Sequence, residues 1–250
     1  MEHISINTKD IEKIEKRINI SKNISNQIDA LDVFENAHLL VMSLIQEDAN
    51  LTSLSDEHIK TLLWLSTKIP KENRSYDIIA KATLIGLENI KNVISDISTL
   101  LRIENEKIYA QIRETPKVLL VSSIHANNVC NYLRNIGLSS QQLREVFFEA
   151  ALLDEKTLKE RCEAVLKYWN VDGLVYLVER NIFGDLPYYD PVEAISVAVN
   201  TLGSKRAMEF FNSYPAFFIT YRSKEYRWLS SDVMLYEESL KALEIFKNTI

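Results

Sequence analysis

Apolar residues recur every three or four positions through roughly the first hundred residues, a spacing that predicts helices. Thr8 caps a short helix running through Ile18, and a longer one covers about Ser25 to Gln46. In the longer helix Ile28, Leu31, Phe34, His38, Val41 and Ile45 form an apolar stripe, so His38 is expected to be a packed helix residue. Ser55 starts the next helix, with Asp56 and Glu57 in the first turn, where acids favour the helix dipole. Ile59, Leu62, Leu63, Leu65 and Ile69 supply its packing before Pro70 closes it. After a polar turn from Lys71 to Ser75, Leu87, Ile90, Ile94, Ile97, Leu101, Glu104 and Ile108 alternate three and four apart, a heptad-like seam. That helix is either a core member of a small bundle or a projecting dimerisation stalk. In the second case Leu87, Ile94 and Leu101 are interaction residues.

From Pro116 the pattern alternates. Pro116–Ser123, P-K-V-L-L-V-S-S, is a short apolar run with β-branched residues followed by an amphipathic helix, and it predicts a buried strand. Glu145–Ala150, Gly173–Val178 and Pro215–Tyr221 are further strand candidates, with Tyr226–Leu229 a short fifth. Between them lie a helix packed through Val129, Leu133 and Ile136 that Gly137 ends, and one capped by Asp154. A third, with Pro191 at its first turn, runs from Val192 to about Asn212 with Gly203 as a candidate break, and Leu235–Lys247 is a closing helix. Strands alternating with helices predict a parallel sheet covered on both faces. Before residue 116 the only glycine and proline are Gly86 and Pro70, and the rest follow, which places a boundary near 108–116. The expected architecture is a helical bundle over 1–110, then a flavodoxin-like, receiver-like α/β domain over 116–250, its parallel sheet flanked by helices.

Composition narrows the function classes. The chain has 250 residues, 46% apolar and 26% charged, enough for a sizeable core. A net charge of −6 with no Lys/Arg-rich block argues against a nucleic-acid footprint. No apolar run approaches a membrane span, and the polar start from Met1 to Ile20 reads as no signal peptide. Cys130 and Cys162 lack metal-ligand spacing, and a reducing cytoplasm is the expected compartment. No metal and no cofactor are expected: His3, His38, His58 and His125 are dispersed, and phosphate-loop, dinucleotide and nucleophile-elbow motifs are absent.

K-V-L-L-V-S-S followed by N-N-V-C-N-Y-L-R-N-I-G resembles the first strand and helix of a response-regulator receiver domain. D-G-L-V-Y-L-V looks like its third strand and P-A-F-F-I-T like its fourth, so the resemblance covers roughly 116–248. The chemistry of that family does not follow. Its Mg²⁺-holding acids would fall on Ser122 and Ser123, neutral hydroxyls that suit a hard cation poorly. Its phosphate-accepting aspartate would fall at about Val178, and only Thr220 matches the hydroxyl position ending the fourth strand. The resemblance therefore implies a pseudo-receiver that has lost phosphotransfer. Asn181–Phe210, with N-I-F-G-D-L-P and A-I-S-V-A-V-N-T-L-G-S-K-R-A-M-E-F, also resembles part of the all-helical HDOD signalling domain. That second resemblance would require Val175–Val178 and Phe217–Ile219 to be helical.

Ligands of open α/β sheets bind beyond the carboxyl ends of the strands. Those positions hold Ser122, Ser123 and Thr220 as ligand-binding candidates, and His125 with Glu149 and Glu179 as candidate acid–base groups, beside Arg180. Ser123 is otherwise a helix cap and His125 a surface residue. Tyr188 and Tyr189, near Asp185 and Asp190, and Trp228 are candidate docking aromatics or core shields. Two hypotheses follow. The first is a non-enzymatic cytoplasmic regulator or adaptor binding another protein, with a homodimer through the N-terminal helices. The alternative is a small-molecule or nucleotide-binding enzyme or sensor using the sheet's carboxyl end.

Overall fold

The computed structural model describes residues 8–180, 182–183, 189–223 and 230–249. Among them are fourteen α-helices and no strand, so the expected parallel sheet, and the receiver reading built on it, are overturned. The chain divides into two compact units, Met1–Ser123 and Ile124–Ile250.

The first unit contains α1 (Thr8–Asp29), α2 (Ala37–Glu47), α3 (Asp56–Lys68), α4 (Tyr76–Ile85), α5 (Leu87–Leu101) and α6 (Asn105–Glu114). A 3₁₀ turn over Pro116–Leu120 follows. Helix α1 packs on α2, α2 on α4, and α3 on α4, α5 and α6, while the 3₁₀ turn packs on α4 and α6. Burial of Leu40, Leu44, Leu62, Leu65, Ile79 and Ile108, each at most 1% exposed, holds these helices together. At about 1.5–3 kcal/mol per buried aliphatic side chain, this packing outweighs helix propensity. The heptad-like seam lies inside the unit: Ile90, Ile94, Ile97 and Leu101 are buried, and Leu87 is half-buried. The seam helix stops at Arg102, whose φ of 53° is left-handed, so Ile108 belongs to α6. Glu57 of α3 accepts a hydrogen bond from the Leu87 N–H at 3.0 Å and so satisfies the first turn of α5.

The second unit contains α7 (Ser123–Asn135, whose first residue ends the first unit), α8 (Ser140–Ala151), α9 (Glu155–Tyr168) and α10 (Val171–Glu179). It continues with α11 (Pro191–Leu202), α12 (Ser204–Ser213), α13 (Phe217–Thr220) and α14 (Ser230–Asn248). Helix α8 packs on α10, α9 on α10, α11 and α12, and α11 on α12 and α14. Its core is aromatic: Trp169 stacks on Phe218 at 5.2 Å, and Phe210, Phe211 and Phe217 lie edge-on or tilted around them. The Glu193 carboxylate accepts hydrogen bonds from the Tyr221 hydroxyl at 2.8 Å and the Ser223 hydroxyl at 2.7 Å.

Each described strand candidate is helical for a local reason. Pro116 sits in the first turn of the 3₁₀ helix, where its missing N–H costs nothing. Glu145–Ala150 lies inside α8, which starts from a reciprocal capping box between Ser139 and Gln142 and buries Leu143, Val146, Phe147 and Ala150 at helical spacing. Gly173–Val178 lies inside α10, capped by Asn170, whose side chain accepts from the Gly173 N–H at 2.7 Å. Pro215–Tyr221 folds as a tight turn into α13. Tyr226–Leu229 lies outside the described residues. The helicity of Val171–Glu179 and Phe217–Thr220 is what the HDOD-like reading required, although most of its N-I-F-G-D-L-P element lies outside the described residues.

Glycine makes two of the corners. Gly86 (φ 86°, ψ 150°) ends α4 and begins α5, and Gly203 (φ 77°, ψ 159°) does the same between α11 and α12. This backbone region is essentially reserved for glycine. A Cβ on Gly203 would meet nothing within 4 Å, so its substitution isolates backbone strain from packing. Gly203→Ala is expected to cost about 1–3 kcal/mol in urea unfolding, and an unchanged midpoint would show that the corner relaxes freely.

Candidate functional site

The sequence-predicted site residues are dispersed. The Ser123 hydroxyl donates to the Asp96 carboxylate, and the Thr220 hydroxyl bonds its own helix through the Ala216 and Phe217 carbonyls. Ser122 precedes α7 without a sheet edge to serve. Glu149 is half-buried near the end of α8, and Glu179 is exposed at the end of α10. Tyr189 is half-buried with the Arg222 guanidinium over its ring at 4.6 Å, while Tyr188 and Trp228 lie outside the described residues.

His125 lines a small hollow between α7 and α9 with Asn128, Val129, Tyr132, Glu155, Leu158 and Lys159. Neither Glu149 nor Glu179 is among these residues. The His125 ring bonds the Ala151 carbonyl through Nε2 at 3.1 Å, and because a carbonyl only accepts, that nitrogen carries the proton. The enclosed part of the hollow is about 30 Å³, room for ordered water and too little for an organic substrate. Behind it the Tyr132 hydroxyl is buried without a well-formed hydrogen bond, against Cys162. Burial first, then the neighbouring Cys162 and Glu163, push the phenol up to about 12. Burial, then Glu163, push the Cys162 thiol up to about 12 as well, and burial raises Cys130. A thiol held that high is protonated at neutral pH and is not a nucleophile. Neither cysteine should therefore react with a disulfide reagent at pH 8 in the native protein, and both should react in denaturant. Rapid labelling of the folded chain would contradict this packing. Among the described residues no group of three or more side chains could hold a metal ion, and no helix is long and apolar enough to cross a membrane.

The first unit carries an exposed apolar surface beside a hollow. The segment A-H-L-L-V-M-S-L-I-Q-E of α2 carries no charge before Glu47, so it is apolar on more than its core side. Leu40, Val41 and Leu44 face inward, and the Ser43 hydroxyl donates to Asp77 of α4 at 2.6 Å, fixing the helix's rotation. The outer side leaves Leu39 41% and Met42 66% exposed. His38 is exposed too, because the long helix expected over 25–46 breaks between α1 and α2 at Asp32, whose φ is 49°, and the register of the stripe shifts. Met42, Ile45 and Leu51 face Arg17 and Ile20 of α1 across an open hollow of about 490 Å³. Arg17 makes no ion pair among the described residues.

Next to this hollow α1 holds part of its own chain. The Gln27 amide makes two bonds to Leu54, donating to its carbonyl at 3.1 Å and accepting from its N–H at 2.8 Å. The Asn23 amide donates to the Thr52 carbonyl at 3.1 Å. Sequence reasoning missed these residues. The signal was present as Glu15, Asn19, Asn23 and Gln27, four polar side chains spaced four apart on one helix.

Comparison with known proteins identifies no relative: no family model, no curated protein and no solved structure matches the chain.

Proposed function

We propose that this chain is a non-enzymatic adaptor, a helical scaffold that binds another protein through the α1–α2 face of its first unit. The observation that carries the reading is Met42, 66% exposed beside Leu39 on a helix uncharged until its last residue. Isolated exposed apolar residues are ordinary, but Met42 lines a hollow with Ile20, Ile45 and Leu51, and such a recess can receive a partner's apolar side chain. Methionine suits such a surface because its flexible thioether adapts to the partner's shape. Arg17 at the rim supplies a cation for an acidic group on the partner.

A photo-crosslinking amino acid at position 42, expressed in the native organism, should capture one discrete partner. The same group at exposed Lys60 on α3 should not. No adduct at position 42, or an adduct of two copies of this chain, would overturn the adaptor reading.

A further inference from the structure

Four residues of an α-helix advance about 6 Å, and two residues of extended chain advance about 6.6 Å. A helix with amide side chains four apart can therefore grip every second residue of an extended segment laid along it. Helix α1 does this to its own chain, with Asn23 on Thr52 and Gln27 on Leu54. The next rungs toward the start of the helix are Asn19 and Glu15. The chain does not continue along them, because Asn50 and Leu51 turn back onto Asp48: the Asn50 N–H donates to its carboxylate at 2.9 Å and the Leu51 N–H to its carbonyl at 3.1 Å. The Asn19 side chain makes no hydrogen bond among the described residues, and it lines an open hollow of about 480 Å³ with Glu15, Lys16, Asn23 and Thr52. Ile20 is shared between this hollow and the one beneath Met42.

We infer that α1 binds an extended peptide segment of a partner protein, which carries on the track that Thr52–Leu54 occupies. Asn19 pairs with one residue's backbone N–H and carbonyl as Gln27 pairs with Leu54. Glu15 accepts a backbone N–H two residues further along. An apolar side chain of the peptide enters the hollow between Ile20 and Met42. Main-chain pairing supplies affinity and the apolar pocket supplies selection, the division of labour found wherever an extended peptide is added to a receptor. The inference rests on the adaptor reading and narrows the partner to an extended segment with an apolar anchor.

A phage-displayed library of random dodecapeptides selected on the full-length protein supplies the probe, and the best peptide is resynthesised for calorimetry. Asn19→Ala, at an exposed helical position, should leave the circular dichroism unchanged and weaken binding about tenfold, as expected for two hydrogen bonds of ordinary strength. N-methylation of one peptide amide should weaken binding to the wild type by a similar factor and have no further effect on the Asn19→Ala protein. A peptide whose binding is lost on Met42→Glu but is indifferent to Asn19→Ala and to N-methylation would overturn the inference and leave the docking surface standing. Selected peptides indifferent to Met42→Glu, or none selected, would overturn both.

Discussion

Gly173→Ala is expected to destabilise the protein by about 3 kcal/mol or more, roughly 10 °C in thermal midpoint. Gly173 lies in the first turn of α10, beneath the indole of Trp169. A Cβ there would stand 2.3 Å from Trp169 Cδ2 and 2.6 Å from Cγ and Cε3, distances that no relaxed contact shows. The indole cannot easily give way. It stacks on Phe218 with the ring planes 5° apart, and its Nε1–H donates to Asn212 at 2.9 Å. Propensity pulls the other way, since alanine gains about 1 kcal/mol over glycine inside a helix. The clash is several times larger, so the sign is destabilising. A thermal melt in which Gly173→Ala is neutral or stabilised would show that Trp169 does not cover this glycine.

Arg74→Ala should cost about 3 kcal/mol in the first unit. Arg74 precedes α4, and its half-buried guanidinium donates to three carbonyls: Val33 at 2.7 Å, Ser66 at 2.9 Å and Ile69 at 3.3 Å. Those acceptors belong to the α1–α2 connection and the end of α3. One planar side chain thus ties two chain breaks together while lying over the Phe34 ring at 5.2 Å. Arg74→Lys should recover little of the loss, because an ammonium cannot address three acceptors in a fixed plane. Equal urea midpoints for the wild type and the lysine variant would reduce the interaction to simple charge. Lys71–Glu35, nearby but more than half exposed, should contribute far less.

Several helix ends were legible from strong local signals. Ser55, Asp154 and Pro191 each begin a helix, and Gly137 closes α7 with Leu138 donating back to the Leu133 carbonyl at 3.2 Å. What misled was the second half's short apolar runs. A run of four to eight residues with β-branched or aromatic members fits a buried strand and a buried helical turn equally well by periodicity. The deciding marks were the Ser139–Gln142 capping box and the Asn170 cap, each just ahead of such a run. The receiver resemblance inherited the same ambiguity, because it rested on those runs and not on rare residues. In the first half, the break around Asp32 was hidden inside a continuous apolar stripe, and with it the outward turn of Met42. The absence of charge from Ala37 to Gln46 was the sign that α2 has two apolar sides.

Within each unit, helices find their packing partners one to three places further along the chain. Such connectivity gives low contact order, and chains of that kind fold quickly because little loop entropy is lost before contacts form. On the ribosome, each helix meets its partners soon after the next few have emerged. A nascent chain therefore has a short interval in which its apolar stripes are bare, and the first unit can mature before synthesis of the second is complete.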